Sequence, residues 1–239
     1  MLQSIAAENN LSETAFFVPE GGDYRLRWFT PRYEVPLCGH ATLATAYVLF
    51  HEMGYRGESI GFNTLSGRLE VRKEDLLLTL DFPLIPIREH TEPPDDLIAG
   101  IGLKPVDFFV TETDKNYYCV LPSENDVRNL RPDHSALERL HPYGVVVTAP
   151  GIEYDCVSRY FLPSYGIPED PVTGSMHCAL APYWSQKKGS PAIRAFQASP
   201  RGGELFCTVR GDRVLISGFA VKYMEGNIHI PSGMKNGIV

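Results

Sequence analysis

The stretch Arg27 to Thr42, RWFTPRYEVPLCGHAT, decides how this chain is read, because the chain says it twice: Arg159 opens RYFLPSYGIPEDPVTGSM. Arg27, Phe29, Pro31, Tyr33 and Pro36 return as Arg159, Phe161, Pro163, Tyr165 and Pro168, and Val35 is answered by Ile167. The second copy then gains three residues, placed most simply at Glu169 to Pro171, before Gly174-Ser175 falls opposite Gly39-His40. Each copy reads as an aromatic strand, a proline-bearing turn and a helix, with ATLATAYVLF following the first and MHCALAPYW the second. Self-similarity of this kind marks a duplicated supersecondary unit. The expected architecture is therefore α+β, with two similar halves about a pseudo-twofold axis.

At 239 residues there is room for one large domain or two of ordinary size. A net charge of −7 argues against a general nucleic-acid partner or an anionic membrane. No apolar run approaches membrane-spanning length, and MLQSIAAENN lacks the basic and apolar regions of a secretion signal. The five cysteines (38, 119, 156, 178, 207) are odd in number and never spaced CxxC, which fits reduced thiols better than a disulfide frame. The expected location is the cytoplasm.

Outward from the repeat, the pattern predicts a helix over Met1 to Asn10, a strand at Thr14 to Val18, a turn at Glu20 to Asp23 and a strand at Tyr24 to Phe29. The first repeat helix runs to about His51, and Ser59 to Asn63, Gly67 to Arg72 and Leu76 to Phe82 read as strands. The charged, proline-bearing Glu89 to Asp96 is the linker candidate, dividing the chain into lobes 1–98 and 99–239. Beyond it, strands are expected at Phe108 to Thr111, Tyr117 to Leu121 and Gly144 to Ala149, with a short helix at Ser135 to Leu140. Further strands are expected at Phe196 to Ala198, Gly203 to Arg210, Val214 to Ser217 and Ala220 to Met224. The second half places two strands before its helix–strand pair, whereas the first half begins with that pair. Symmetry thus predicts a first lobe that lacks its opening strands, whose unpaired sheet edge favours a homodimer.

The two helix starts are the first candidates for chemistry. A helix N-terminus presents free N–H groups and partial positive charge, so it holds a carboxylate or phosphate, and Gly39 and Gly174 allow close approach. One such turn is ordinarily just a tight strand-to-helix connection; two in matched context favour a small anionic ligand. Glu13, in NLSET, has no carboxylate counterpart in the second half, which instead adds Glu169-Asp170. One carboxylate per half, together with His40, is a workable acid/base set for moving a proton at carbon. A zinc site built from Cys38, His40, His177 and Cys178 is disfavoured, because C-x-H with H-C matches no usual ligand spacing. Cys38 reads as a small buried thiol before it reads as a nucleophile. The phosphate-binding glycine motifs and the GxSxG elbow are absent.

NLSETAF (Asn10 to Phe16), RWFTPRYEVPLCGHATLA (Arg27 to Ala44), EDPVTGS (Glu169 to Ser175) and RGGEL (Arg201 to Leu205) together resemble the PhzF family of phenazine-biosynthesis-like isomerases. The likeness runs from Met1 to about Gly226. It implies the diaminopimelate epimerase fold, two lobes each a β-barrel around a central helix. It also implies cofactor-free proton transfer within a small cyclic acid, with no metal. The family's catalytic glutamate, histidine and aspartate fall on Glu13, His40 and Asp170. The substrate carboxylate would be held at Gly39, Ala41, Thr173, Gly174 and Ser175. Related epimerases use a pair of cysteines; here Cys38 stands at one helix start, but the partner position reads Met176. Family members also open with about thirty residues that have no counterpart before Met1, the same loss the repeat predicts. The alternative to an isomerase is a binding protein that keeps the fold without turnover.

Overall fold

A computed structural model, which describes residues 1–89 and 92–229, divides the chain into two compact units. One is Met1–Asp81 with the residues from Gly218 onward, and the other is Phe82–Ser217. The division falls at Asp81 rather than at the 98/99 boundary read from the linker, because Asp95 already begins a helix that packs into the second unit's core. His90 and Thr91 of that linker lie outside the described residues.

In the first unit, α1 (Leu2–Asn9) ends where Asn10 turns left-handed at φ 50°. The hairpin of β1 (Thr14–Glu20) and β2 (Asp23–Phe29) comes next, in register from Thr14↔Phe29 to Glu20↔Asp23. The chain returns along β2 as β3 (Glu34–Val35) and crosses over through α2 (Gly39–Tyr47), which a π-helical turn, Val48–Glu52, extends. It then lays β4 (Ser59–Thr64) parallel to β2, a pairing that needs such a crossover. The antiparallel β5 (Gly67–Glu74) and β6 (Leu77–Pro83) continue the sheet. Leu78, Leu80 and Phe82 are buried at alternate positions of β6, the period-2 pattern of a strand with one inward face.

The second unit starts with β7 (Arg88–Glu89), α3 (Asp95–Ile101), β8 (Asp107–Thr111) and β9 (Asn116–Val120). Two short helices, α4 (Glu124–Asn129) and α5 (His134–Glu138), cross over to β10 (Gly144–Pro150), which runs parallel to β9. Then β11 (Cys156–Leu162), β12 (Ile167–Asp170) and α6 (Gly174–Lys188) lead to β13 (Ala192–Gln197), parallel to β11. The antiparallel β14 (Gly203–Arg210) and β15 (Arg213–Gly218) close the run. Phe108, Val110, Val145 and Val147 pack with Leu97, Val127 and Leu137 of α3 to α5. On the other face, Phe109 stacks on Tyr118 and on Tyr183 of α6. A sheet covered on both faces explains why GVVVTA is apolar throughout. In α6, every residue from Met176 to Trp184 except Pro182 is buried, as befits a central helix.

The succession β1-β2-β3-α2-β4-β5-β6 is thus repeated, pairing for pairing, as β10-β11-β12-α6-β13-β14-β15. The register also corrects where the extra residues fall. Val35 lies opposite Trp28, and Asp170 lies opposite Tyr160, the equivalent of Trp28. Glu34-Val35-Pro36 therefore answers Glu169-Asp170-Pro171, and the additional residues belong to the 3-10 turn Pro163–Tyr165 and the residues just after it. Two helices, α3 and α4, escaped the sequence reading, and the strand expected at Ala220 to Met224 does not form. There Val221, Tyr223 and Met224 are 80% or more exposed, so the apolar pattern at this point marks no inward face. All five cysteines are free and buried. Among the described residues, no helix is long and apolar enough to cross a membrane.

Candidate active site

Two loops build the site of the first unit. The left-handed Asn10 turns the chain out of α1, so that Ser12 and Glu13 arrive just before β1. The other loop lies beyond β2, where Thr30 Oγ1 accepts from the N–H groups of Arg32 and Tyr33 and donates to Tyr33 O. Cys38 is the N-cap of α2, in extended conformation at φ −148°, and Thr42 Oγ1 donates to its carbonyl at 2.6 Å. Gly39, His40 and Ala41 form the first turn of the helix, whose N–H groups have no intrahelical acceptor.

His40 Nε2 lies 3.1 Å from Glu13 Oε2, with Ser12 Oγ at 3.4 Å and Cys38 Sγ at 3.7 Å from Nδ1. The Glu13 side chain is 11% exposed and that of His40 is 34% exposed. The approach to Glu13 is close but is not aligned as a hydrogen bond, which leaves the buried Oε2 without one. Burial works against the charge on Glu13, but His40, Ser12 and Cys38 outweigh it and hold the carboxyl below its ordinary range. Burial likewise opposes the charge on His40, yet Cys38 and Glu13 hold the imidazole well above its usual value. Burial pushes the Cys38 thiol up, so it is neutral near pH 7 and the Glu13 carboxylate is the charged partner. At neutral pH the pair is a carboxylate beside an imidazolium: one group ready to take a proton, one ready to give it.

In the second unit, Asp170 ends β12 and is 7% exposed. Its Oδ2 accepts from Thr173 Oγ1. Thr173 is the N-cap of α6, but its N–H donates to Gln197 Oε1 at 2.6 Å and its carbonyl meets His177 Nδ1 at 2.7 Å. The polar groups of Thr173 are thus engaged within the protein, and Gly174 and Ser175 supply the first-turn N–H groups of the helix. Gln197 Nε2 also donates to Asp170 O at 2.8 Å, and Ser199 Oγ donates to Pro171 O at 2.7 Å, strapping the loop to β13 and the turn beyond it. At Gly203 a Cβ would come within 2.5 Å of Val172, which accounts for the second glycine of RGGEL. Gly174 is different: its φ is not positive, and a Cβ there would meet only Phe82, at 4.0 Å.

Glu169, read with Asp170 as an added carboxylate, has another task. It receives Arg159 bidentately at 2.8 and 2.9 Å, while Arg159 Nη1 donates to Val127 O and Leu130 O at the end of α4. Arg27 grips Glu34 in the same way, at 2.8 Å twice, and both guanidiniums sit 5.0 Å over a phenylalanine ring, Phe29 and Phe161. Glu169 is therefore part of the repeated scaffold, and Asp170, where the first copy has Val35, is the residue that differs.

The structure gathers Glu13 with His40, and places Asp170 beside Thr173. It adds Ser12 and Cys38, each adjacent in sequence to a candidate or one residue away, and Gln197, for which the sequence carried no signal. Glu13, Cys38 and His40 also offer three donor atoms within 4.8 Å of one another.

Residues 1–226 match the family model described as phenazine biosynthesis-like protein. A Pseudomonas aeruginosa protein named as an uncharacterized isomerase is 49% identical over 232 residues, covering 96% of this chain and 87% of its own. The crystal structure of a PhzF-family protein from Enterococcus faecalis superposes with a TM-score of 0.91 at 44% identity, covering 96% of this chain and 87% of that one. A hydroxyproline epimerase from Agrobacterium vitis, at 13% identity, shares the fold with a TM-score of 0.55 over 89% of this chain and 74% of its own. The fold is thus that of the epimerase-like α+β proteins.

Proposed function

The chain belongs to the phenazine biosynthesis-like (PhzC-PhzF) protein family, and from that premise we propose that it is an isomerase that moves a proton at a carbon of a small cyclic carboxylic acid without a cofactor. The observation that carries this reading is the Glu13–His40 pair, a carboxylate held ionised 3.1 Å from a nitrogen of an imidazole held protonated. Glu13 takes the proton from carbon, and His40 supplies one to the charge that develops or passes it back. Asp170, tied to Thr173, orients or relays at the start of α6. First-turn N–H groups suit a carboxylate in each unit taken by itself: Gly39 and Ala41 offer them on α2, and Gly174 and Ser175 on α6. Gly174 supports this, since neither strain nor packing demands a glycine there and close approach of a ligand does. That relatives are named isomerases supports the reaction class.

The experiment is proton exchange. The folded chain is incubated in deuterium oxide with a panel of cyclic hydroxy and amino acids, and label at carbon is read by mass spectrometry or NMR. At least one panel member should take up deuterium, and Glu13→Gln should slow that uptake at least about a hundredfold, the usual contribution of a positioned base. Absence of uptake throughout, or equal uptake by Glu13→Gln, refutes the reading.

A further inference from the structure

We propose that the first unit carries a site for a thiophilic divalent cation of the zinc class, ligated by a carboxylate oxygen of Glu13, Sγ of Cys38 and a ring nitrogen of His40. The three donor atoms lie within 4.8 Å of one another, and His40 Nε2 is 3.1 Å from Glu13 Oε2 and 3.9 Å from Cys38 Sγ. Tetrahedral zinc, with bonds of about 2.0–2.3 Å, spaces its ligands about 3.3–3.6 Å apart. Movements of about an ångström bring the donors onto one ion. One sulfur, one imidazole nitrogen and one carboxylate oxygen suit zinc or cobalt; calcium and magnesium take all-oxygen shells.

A second observation points the same way. Glu13 Oε2 is buried beside His40 yet makes no aligned hydrogen bond, so a lone pair of the oxygen facing the cluster is left for a cation. The cluster also opens on one side. Cys38 is 7% exposed, whereas the His40 side chain is 34% exposed, so the cluster is reached from solvent on the His40 side. Ser12 Oγ, 3.4 Å from His40 Nε2, stands beside the cluster. The Cys38 backbone is fixed by Thr42, so the sulfur is presented from a rigid helix start. Binding displaces the Cys38 thiol proton and any proton on the coordinating nitrogen into solvent. Sequence spacing disfavoured zinc because Cys38 and His40 make only half a ligand pattern; the third donor comes from the far side of the β1–β2 hairpin.

This site stands on donor geometry and does not rest on the proton-transfer reading. Only its consequence does: a cation holding Glu13 and His40 would stop proton transfer. The test is a cobalt(II) titration of the full chain followed by absorption. One equivalent per chain should bring a near-ultraviolet thiolate-to-cobalt band with visible bands of tetrahedral intensity, and zinc should abolish both. Cys38→Ser should lose the near-ultraviolet band while circular dichroism shows a folded protein. Glu13→Gln should bind cobalt at least about tenfold more weakly. Cys178→Ser, at a buried thiol of the other unit, should leave the spectrum unchanged. No thiolate band in the parent protein, a band surviving in folded Cys38→Ser, or unaltered affinity in Glu13→Gln overturns the site. The readout is metal binding, so its failure is distinguishable from failure of deuterium uptake.

Discussion

Glu13→Gln removes one charge from the centre of the site and keeps its shape, so its effect on His40 can be worked from the geometry. The carboxylate oxygen is 3.1 Å from Nε2. An opposite charge this near raises an imidazole by about 1–3 pKa units. The His40 side chain is 34% exposed, and solvent screening on that side places the expectation in the lower part of the range. That is about 1–2 units, or about 1.4–2.7 kcal/mol of coupling. With the carboxylate gone, burial still opposes the charged ring and only Cys38 remains to favour it, so the imidazole titrates lower than in the parent protein. The sign for stability comes from the same shift. A raised folded pKa contributes fully below the unfolded value and is lost as pH rises through the folded one, so the His40 contribution is complete below about 6.5 and fades only at alkaline pH. The mirror case is Glu13, lowered from 4.5, whose contribution is complete above that value and fades as pH falls through the folded pKa. The assay is a long-range proton–nitrogen NMR titration of the imidazoles between pH 5 and pH 9. His40 should titrate about 1–2 units lower in Glu13→Gln than in the parent protein. A His40 midpoint that is the same in both proteins refutes the ion pair and the division of roles built on it.

Two further substitutions probe the duplicated scaffold. The Arg159–Glu169 side chains are 8% and 15% exposed, against 34% and 26% for Arg27–Glu34. Arg159→Ala should therefore cost about 3–5 kcal/mol in urea unfolding, by stranding a buried carboxylate, whereas Arg27→Ala should cost about 1 kcal/mol or less; equal losses would contradict the difference in burial. Gly174→Ala should stabilise the protein by about 0.4–1 kcal/mol, since the residue has an ordinary φ and room for a methyl group. The same variant should take up deuterium more slowly, and unchanged turnover would mean that nothing approaches the backbone at that point.

Much of the fold was legible before any coordinates, because its repeating element is local. An aromatic strand, a proline turn and a glycine-started helix are written in consecutive residues, and their recurrence needs no tertiary information. Most strands could be read from alternation bounded by glycine or proline, and the Gly67 and Gly203 strands matched as their echo suggested. The helix α3 was hidden because HTEPPDD reads as a linker by composition; Leu97 and Ile101, packed in the second unit's core, decide otherwise. The ends of Leu76 to Phe82 and Ser135 to Leu140 shifted by a residue or two, as capping and register set them.

The site divides along the same line. Glu13 and His40 could be chosen from sequence, since each is a titratable residue at a strand or helix boundary. The role of Glu169 could not, because one-dimensional alignment has no access to strand register. Only the pairing of Tyr160 with Asp170, as of Trp28 with Val35, shows Glu169 to be a structural partner of Arg159 and Asp170 to be the true departure from symmetry. Cys38 was visible as a residue but not as a neighbour of Glu13, since an approach within 4.8 Å across a hairpin is set by folding rather than by spacing. Sequence by itself determined the duplication and the chemical types at the helix starts, because local order carries both. Tertiary structure decided which of those groups touch, and therefore which are charged, because pKa and ligand geometry depend on neighbours that are remote along the chain.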